Sequence, residues 1–285
     1  MGRDELGPRP DPENLSPVPD DGLRGIFDED PELYERARPG YPPDLFADLA
    51  ELTGIGPGAR VVEIGPGTGQ ATAGLVALGA HVVGVELGAG LAALLRRKLA
   101  SRIEIVVGAF EDWLPPAQPF DVVAAFTSWH WLDPAVRAAR VAALLRTGGA
   151  LATVTTTHVL GNSGKFFEQA QRCYERWDPN TPAGLRLIAS DAVPPSLDEI
   201  DESALFQRAV RRRYEQDVTY STRGYLDVLS TYSGHRALTR ERREGLFGCI
   251  SDLSDHRHGG VVTKRYLHEL RVAHLALAGQ RRLQH

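Results

Sequence analysis

Residues 61–70, VVEIGPGTGQ, place three glycines at alternate positions directly after a run of β-branched residues. A single acidic residue, Glu63, stands two places before the first glycine. Glycines let a backbone turn tightly and let a ligand pack against it. The free N–H groups of a helix that follows such a turn favour a negatively charged ligand group. The stretch therefore predicts a ligand site at the end of a strand.

The spacing of these glycines distinguishes two classes of ligand. A dinucleotide site usually reads GxGxxG, with the pyrophosphate on the helix and an acidic residue about 20 positions further on. This stretch reads GxGxG, and its strand carries Glu63 where a dinucleotide site is usually apolar. A carboxylate there can receive an ammonium group, which suits an amino-acid ligand better than a pyrophosphate. A nicotinamide-dependent oxidoreductase stays open as the alternative.

Acidic residues also end the next two predicted strands. Glu86 lies 21 residues after Gly65, where a carboxylate can accept both hydroxyls of a ribose. The third strand is followed by GAFEDW, residues 108–113. Glu111 or Asp112 could accept a hydrogen bond from an adenine amino group, and Phe110 could cover the ring. Each acid also has a purely structural interpretation as a solvated strand end, but their order along the chain favours a nucleotide site.

Strands and helices alternate from residue 59 to residue 156. Short apolar strands that alternate with helices are typical of a parallel sheet covered on both faces, in a doubly wound α/β fold. Pro42 and Pro43 open a helix before the sheet. Asp133 and Pro134 start another as N-cap and first helical residue, and it ends at Gly148–Gly149. The pattern predicts strands at 59–65, 81–86, 102–108, 120–126 and 150–156, and helices at 69–79 and 91–100.

The alternation ends at residue 157. Residues 205–220 have the pattern of a long strand, 222–256 that of two helices, and 261–277 fit a strand or a helix by periodicity. The expected regions are a disordered tail at 1–25, an N-terminal helix and Rossmann-like ligand-binding core at 26–157, a helical insertion that forms an acceptor lid at 158–204, and C-terminal strands and helices that complete the sheet at 205–285.

The bulk composition restricts the class of protein. The chain has 285 residues, 42% of them hydrophobic, and a net charge of −5, which predicts a globular protein without the basic signal of a nucleic-acid binder. We found neither an apolar run of about 18 residues nor a signal peptide, so we expect a cytoplasmic protein without membrane spans. Cys173 and Cys249 lie far apart in the sequence, which argues against a disulfide framework or a zinc cluster and fits a reducing compartment.

Four stretches, EIGPGTGQ, GVELG, GAFEDW and FDVVAAFTSWHW, resemble the successive motifs of class I S-adenosylmethionine-dependent methyltransferases. The resemblance covers residues 31–157 best. It implies a Rossmann-like sheet of seven strands whose last strand is antiparallel, so that 205–220 and 261–277 form a closing strand pair. YERARPGYP and SWHW resemble the small-molecule methyltransferases of the trans-aconitate methyltransferase-like kind, also called type 11.

The resemblance assigns residues of this chain to parts of the methyl donor, S-adenosylmethionine. The acid of strand 1 and the glycine loop hold the methionine part, the acid of strand 2 holds the ribose, and the acid after strand 3 holds the adenine. From their place before the sheet, Arg38 could bind the methionine carboxylate and Tyr34 and Tyr41 could fold over the mouth of the site, or these three residues simply pack against the first helix. The donor-binding residues that we expect are Glu63, Gly65, Pro66, Gly67, Gly69, Gln70, Glu86, Leu87, Phe110, Glu111, Phe126, Trp131 and Arg38.

His130 is the candidate general base. It follows strand 4 between Trp129 and Trp131, and in an extended segment the two indoles would share one face with His130 on the other. The indoles could then line the donor pocket and attract the sulfonium by cation–π contact. The structural alternative places both tryptophans in the core.

The expected function is transfer of a methyl group to an oxygen or nitrogen of a small-molecule acceptor, by a monomer or homodimer that needs no metal. The alternatives are an NAD-dependent oxidoreductase, an aminopropyl transferase on the same fold, and a non-catalytic protein that binds S-adenosylmethionine. FTSWHW lacks the Asn/Asp-Pro-Pro-aromatic motif of amino-methylating DNA enzymes, which argues against a nucleobase acceptor. Four aromatic residues of the insertion line an acceptor pocket or, as is more usual at helical spacing, belong to the core: Phe166, Phe167, Tyr174 and Trp177.

Overall fold

The computed structural model describes residues 25–99 and 102–277. The predicted tail at 1–25 lies outside this part of the chain, except for its last residue. The chain divides into two compact units. The first unit comprises the described residues within Pro19–Thr156, Ser196–Tyr214 and His268–His285, and the second unit those within Thr157–Pro195 and Glu215–Leu267.

Seven strands form one sheet. They are, in chain order, β1 (Arg60–Ile64), β2 (His81–Glu86), β3 (Ile103–Val107), β4 (Phe120–Phe126), β5 (Leu145–Val159), β6 (Val210–Ser221) and β7 (Val261–His274). Their order across the sheet is β3-β2-β1-β4-β5-β7-β6. Strands β1 to β5 pair in parallel, and the last strand is antiparallel. The structure thus confirms the expected doubly wound α/β sheet, including a strand at 261–274.

The helices of the described residues fall between and after these strands. The α-helices are α1 (Pro31–Ala37), α2 (Pro43–Thr53), α3 (Thr72–Ala77), α4 (Ala89–Leu99), α5 (Arg137–Leu144), α6 (Gly164–Trp177), α7 (Glu199–Glu202), α8 (Thr222–Leu229), α9 (Ser233–Ala237) and α10 (Arg240–Arg257). Short 3-10 helices occupy Ile26–Glu29, Trp129–Trp131 and Ser190–Ala192.

The core of the first unit lies on both faces of the sheet because neighbouring residues of a strand point to opposite faces. Val61 and Val122 belong to one hydrophobic cluster, and Val62 and Val123 belong to the other. All four side chains are 0% exposed. Because both faces of the sheet are buried, the strands in its middle must be continuously apolar. Polar residues can be placed at their carboxyl ends.

The predicted helix at 133–149 is wrong at both ends. The Asp133 carboxylate accepts from the N–H of Ala135 at 2.8 Å, which closes a turn and delays the start of α5 to Arg137. The glycines do not end the helix but lie within β5, where the absent Cβ of Gly149 would stand 2.9 Å from the carbonyl oxygen of Asp121. They let β5 approach the start of β4, where the pairing register shifts.

The second unit is mainly helical and corrects two expectations. Residues 222–257 form three helices, α8 to α10, where the pattern predicted two. Cys173 of α6 and Cys249 of α10 form a disulfide, with 5.8 Å between their Cα atoms. The argument from their separation of 76 residues was wrong because packing of α6 against α10 brings them together. Of the insertion's aromatic residues, Phe166 and Tyr174 are buried.

No helix in the described part of the chain combines the length and apolarity that a bilayer crossing requires.

Candidate functional site

The glycine loop, residues 65–69, joins β1 to the helix that follows. Gly65, Gly67 and Gly69 have φ angles of 63°, 59° and 95°, in the region that favours glycine. A Cβ on Gly65 would stand 2.9 Å from the Cβ of Ser128, and one on Gly69 would stand 2.5 Å from Cδ1 of Leu95. The loop therefore needs glycine both for its backbone angles and for close packing, and it presents bare backbone to a ligand.

Glu63 lies on β1 directly before the glycine loop and is 1% exposed. Its Oε2 atom has no hydrogen-bond partner among the described residues. Burial raises the pKa of Glu63 to about 7. A buried carboxylate oxygen without a donor is costly, so this atom fits a ligand that brings its own N–H group, such as an ammonium.

Glu86 ends β2 beside the loop and is 6% exposed. Its Oε2 accepts from the N–H of Gly67 and its Oε1 from the N–H of Gly88, both at 2.8 Å. Burial raises the pKa of Glu86, and these two backbone bonds partly offset the rise. A carboxylate can accept more than two hydrogen bonds, so Glu86 can hold the loop and also accept from a ligand hydroxyl.

A third acid at this edge, Asp28, was not foreseen from the sequence. Its Oδ1 accepts from the N–H of Leu91 at 2.8 Å, in the first turn of α4. Cβ atoms on Gly88 and Gly90 would stand 2.7 and 2.9 Å from the same oxygen. Gly88 and Gly90, the last two glycines of GVELGAG, were the sequence signal for this close approach. Asp28 thereby fixes the 3-10 helix Ile26–Glu29 against the turn after β2.

Aromatic side chains cover the glycine loop. The Phe27 ring lies 5.5 Å from the Trp131 ring and 6.3 Å from the Tyr34 ring, both edge to face. Cε1 of Tyr34 lies 3.5 Å from the position that a Cβ of Gly67 would take. The Arg38 guanidinium stacks over Tyr34 at 5.2 Å. Tyr34 thus lies over the loop, and the cluster shields the loop from water.

The segment SWHW was expected to be extended, and this is wrong. Trp129–Trp131 form a 3-10 helix, in which successive side chains point about 120° apart. The two indoles therefore do not share a face: Trp129 is 4% exposed, whereas Trp131 is half-buried. His130 is exposed, with its ring 5.1 Å from that of Trp131.

Tertiary contacts of Trp129 explain the turn. Its indole N–H donates to Oδ2 of Asp198 at 2.8 Å. Arg137 donates to the carbonyl oxygen of Trp129 at 2.6 Å, and its guanidinium lies 4.6 Å from the indole centroid. Arg137 is itself held by the Glu199 carboxylate through bonds of 2.5 and 2.7 Å. Asp198 lies 69 residues from Trp129, and Glu199 lies 62 residues from Arg137, so local periodicity could not reveal the turn.

The other expected donor-binding residues differ in their surroundings. Phe110 is 2% exposed, with its ring 6.4 Å from the Trp113 ring, so it is a core residue and offers no open ring face. Glu111 is half-buried and accepts from the N–H of Asp133 at 3.4 Å. Phe126 is 7% exposed at the end of β4.

Pro66, Gln70 and Leu87 surround the glycine loop and the turn after β2. Pro66 is buried, with its Cγ 3.0 Å from the position of a Cβ on Gly84 of β2. The Gln70 amide donates to the Thr68 hydroxyl at 2.8 Å, which stiffens the loop from within. Leu87 is 40% exposed. The structure thus brings Glu63, the glycine loop and Glu86 together as expected, and it adds Asp28 and Phe27.

Fold and site together define a nucleotide-binding α/β protein of the kind that recognises an amino-acid group beside the nucleotide. Residues 61–149 match the family described as "Methyltransferase domain". The uncharacterized methyltransferase YrrT of Bacillus subtilis is 32% identical over 173 residues, which cover 59% of this chain and 76% of that relative. The chain belongs to the class I S-adenosylmethionine-dependent methyltransferases.

Two further comparisons agree with this assignment. An uncharacterized methyltransferase of Mycobacterium tuberculosis is 36% identical over 124 residues, or 44% of this chain. The match spans about half (49%) of the length of that mycobacterial relative. A solved structure from Anaeromyxobacter dehalogenans, named as a type II methyltransferase, has the same fold, with a TM-score of 0.53 and 22% identity over 83% of this chain and 97% of that one.

Proposed function

We propose that this protein transfers a methyl group from S-adenosylmethionine to an oxygen or nitrogen of a small-molecule acceptor. The observation that carries the proposal is Glu63, a buried carboxylate with an unpartnered oxygen beside a bare glycine loop. An α-ammonium group would give that oxygen its missing donor. A pyrophosphate would instead add negative charge beside a carboxylate, which disfavours the dinucleotide alternative.

The residues around the loop fit the remaining parts of the donor. Glu86, at the end of β2 beside the loop, would accept from the ribose hydroxyls. Glu111 follows β3 and would accept from the adenine amino group. Arg38 would hold the carboxylate of the methionine part. The side chains that would line the rest of the donor site are Pro66, Gln70, Leu87, Phe126 and Trp131, with Phe110 supporting the adenine side from the core.

The donor supplies a methyl group on a sulfonium, whose sulfur leaves as a neutral thioether. The chain therefore has to bind, orient and exclude water more than it has to move charge. Alignment of two reactants in this way can lower the barrier by about 7–11 kcal/mol. The cover formed by Phe27, Tyr34 and Trp131 keeps water from the loop. His130 is proposed as the base where the acceptor loses its proton near the transition state.

Calorimetric titration with S-adenosylmethionine, S-adenosylhomocysteine and NAD in parallel tests the proposal. We expect the first two to bind with micromolar dissociation constants and NAD not to bind. Binding of NAD alone would replace this function with the oxidoreductase alternative. Formation of S-adenosylhomocysteine from the donor in the presence of a library of hydroxyl and amine compounds then separates an enzyme from a non-catalytic binding protein.

His130→Ala tests the proposed base. We expect this variant to keep its affinity for S-adenosylhomocysteine and to lose about 100-fold or more in turnover. The aromatic neighbour offers a control, since Trp131→Phe keeps a ring at the donor site and leaves His130 in place. A His130→Ala variant that turns over at the full rate would remove His130 from the reaction.

The acceptor that we propose is a small molecule and not a nucleic acid. The net charge of −5 offers no attraction for a phosphate backbone, and FTSWHW carries no motif of nucleobase methylation. The Cys173–Cys249 disulfide removes the support that cysteine usage gave to a reducing compartment.

A further inference from the structure

Thr127, the residue that follows β4, has an unusual backbone. Its φ angle is 55°, and it is the only non-glycine residue with a positive φ in the described part of the chain. A β-branched side chain makes this conformation costly, by about 1–3 kcal/mol. Its N–H still donates to the carbonyl oxygen of Val154 at 2.7 Å, so the strand pairing continues through it. The strained backbone directs its hydroxyl to a particular place.

The Thr127 hydroxyl is the second member of a continuous chain of hydrogen bonds. Oη of Tyr41 lies 3.0 Å from Oγ1 of Thr127, which lies 3.2 Å from Oγ1 of Thr156. Oγ1 of Thr156 lies 2.9 Å from Nδ1 of His268. All four residues belong to the first unit. The three hydroxyl residues are half-buried, whereas His268 is 1% exposed, so the chain leads from an accessible edge to a buried imidazole.

This chain of hydrogen bonds borders the proposed donor site. Ser128, the next residue after Thr127, donates its hydroxyl to the carbonyl oxygen of Ile64 and packs against Gly65. On the other side, the Tyr41 ring contacts the Phe126 ring at 5.1 Å. Tyr41 also closes the motif YERARPGYP, whose Tyr34 covers the glycine loop. An acceptor placed at Tyr41 and Thr127 would therefore lie next to the donor.

The four hydrogen-bonded side chains carry no net charge at neutral pH. Burial lowers the pKa of His268 to about 4, so its imidazole is neutral above about pH 5. Burial also raises the pKa of Tyr41, so the phenol keeps its proton. The charged groups nearest to Tyr41 are Glu63 and Arg38, which belong to the donor site. A carboxylate or ammonium acceptor would need a counter-charge that these four residues do not supply, whereas an uncharged hydroxyl needs only hydrogen bonds.

We propose that Tyr41, Thr127, Thr156 and His268 form the acceptor subsite, which binds the hydroxyl group of an uncharged acceptor and conducts its proton to His268. This inference rests on the proposed methyl transfer, and for a hydroxyl acceptor it assigns the proton to His268 in place of His130, which stays the proposed base for an amine acceptor. The acceptor oxygen gains the methyl carbon, and the carbon–sulfur bond breaks with its electron pair left on sulfur. The proton of the acceptor passes to Oη of Tyr41, while Tyr41, Thr127 and Thr156 each pass their own proton onward to Nδ1 of His268. After the methylated product leaves, the imidazolium returns that proton along the same three hydroxyl groups to water at Tyr41.

Nitrogen NMR of the histidine rings tests the subsite without knowledge of the natural acceptor. The protein is labelled with ¹⁵N-histidine and saturated with S-adenosylhomocysteine, and the Nδ1 signal of His268 is assigned by its loss in His268→Gln. Phenol and benzyl alcohol are the probes, with their methyl ethers and with benzoate and benzylamine as matched compounds. We expect a saturable shift of the His268 signal with the two hydroxyl probes only. A signal that neither hydroxyl probe moves, or that a charged probe moves equally, overturns the proposal.

Variants of β5 show whether the shift of the His268 signal depends on the hydrogen bonds between Tyr41 and His268. Thr156→Val keeps the shape but removes the hydroxyl, so the shift should be lost while the affinity for S-adenosylhomocysteine stays unchanged. Thr156→Ser should restore the shift, which excludes a fold defect. Thr155→Val makes the same change on the opposite face of the strand and should retain the shift. A shift that persists in Thr156→Val also refutes the relay, whereas a wild-type protein that does not bind S-adenosylhomocysteine refutes the proposed function instead.

Discussion

The buried carboxylate of Glu63 should make donor binding depend on pH. The pKa of Glu63 is raised from its ordinary value of 4.5 to about 7, because burial raises it, the Thr72 hydroxyl beside the carboxylate partly offsets the rise, and the nearby Glu86 adds to it. Only the ionised carboxylate can form an ion pair with the ammonium group of the donor. Binding must therefore expel the proton that Glu63 carries below pH 7, and the affinity for S-adenosylhomocysteine should fall as the pH is lowered.

The size of the effect follows from the fraction of Glu63 that is ionised. With a pKa of about 7, about half of Glu63 is ionised at pH 7 and roughly 3% at pH 5.5. The apparent dissociation constant should therefore rise roughly 15-fold across this interval. An α-amino group has a pKa of about 8, so the ammonium of the ligand stays charged throughout. The observed change then belongs to the protein.

The same pKa shift also affects the stability of the folded protein. Stability without ligand should fall as the pH rises, whereas the affinity for the ligand should fall as the pH is lowered. The unfolded chain releases the Glu63 proton near the ordinary value of 4.5, whereas the folded protein keeps it until about pH 7. Between these two values the folded state binds more protons, so its stability falls as the pH rises. The loss amounts to about 3 kcal/mol above pH 7. Ligand binding at Glu63 offsets this loss, and the ligand should therefore raise the melting temperature most at neutral pH.

Calorimetry with S-adenosylhomocysteine between about pH 5.5 and 7, in two buffers of different ionisation enthalpy, measures both the affinity and the protons released. Wild type should release about half a proton per ligand at pH 7. Glu63→Gln should bind more weakly by roughly 1–3 kcal/mol and lose the pH dependence. A dissociation constant that does not change with pH in wild type would refute the reasoning. The same slope in wild type and Glu63→Gln would assign the titration to another group.

Three further predictions concern other parts of the molecule. Glu86→Ala should weaken the binding of S-adenosylhomocysteine in calorimetry by roughly 1–3 kcal/mol, because it removes a charged acceptor from two hydroxyls. Glu104→Ala, at an exposed position of β3, should leave the affinity unchanged. Equal affinity in both variants would show that Glu86 does not hold the ribose. Cys173→Ser opens a disulfide that closes a separation of 76 residues and should lower the free energy of unfolding in urea by about 2–4 kcal/mol; an unchanged midpoint would contradict a stabilising role. Gly65→Ala places a Cβ 2.9 Å from Ser128 at a φ of 63° and should cost more than about 1 kcal/mol of stability and reduce ligand binding; wild-type behaviour in both assays would contradict the loop geometry.

The sequence predicted the strands of the central sheet closely. The strands 81–86 and 120–126 agree with β2 and β4 at both ends, because polar residues bound a continuous apolar run. The donor-site acids were also predictable, since strand ends at one edge of a parallel sheet meet there. The helix before β5 was harder, because Asp133 and Pro134 can cap a helix or close a turn. Which of these two structures forms depends on packing against distant residues, and no local pattern encodes that packing.

Three features of the protein could not be predicted from local sequence. The turn at SWHW depends on Asp198, which lies 69 residues away from Trp129. The disulfide depends on how two helices pack in the second unit. The left-handed backbone of Thr127 is imposed by neighbours, because threonine has no preference for that conformation. In each case a contact between distant segments outweighs the local preference.

Two destabilising groups lie at the carboxyl ends of neighbouring strands. Glu63, on β1, keeps an unpartnered oxygen in a buried position, and Thr127, after β4, holds a positive φ without being glycine. The fold can satisfy buried charge where it needs to: Arg271, which is 4% exposed, donates to both oxygens of Asp198 at 2.6 and 2.7 Å and to Asp201 at 3.1 Å. An apolar residue in place of Glu63 and a glycine in place of Thr127 would relieve both costs. Since stability does not explain these two residues, the physics of the fold points to ligand binding at this edge independently of any resemblance to other proteins.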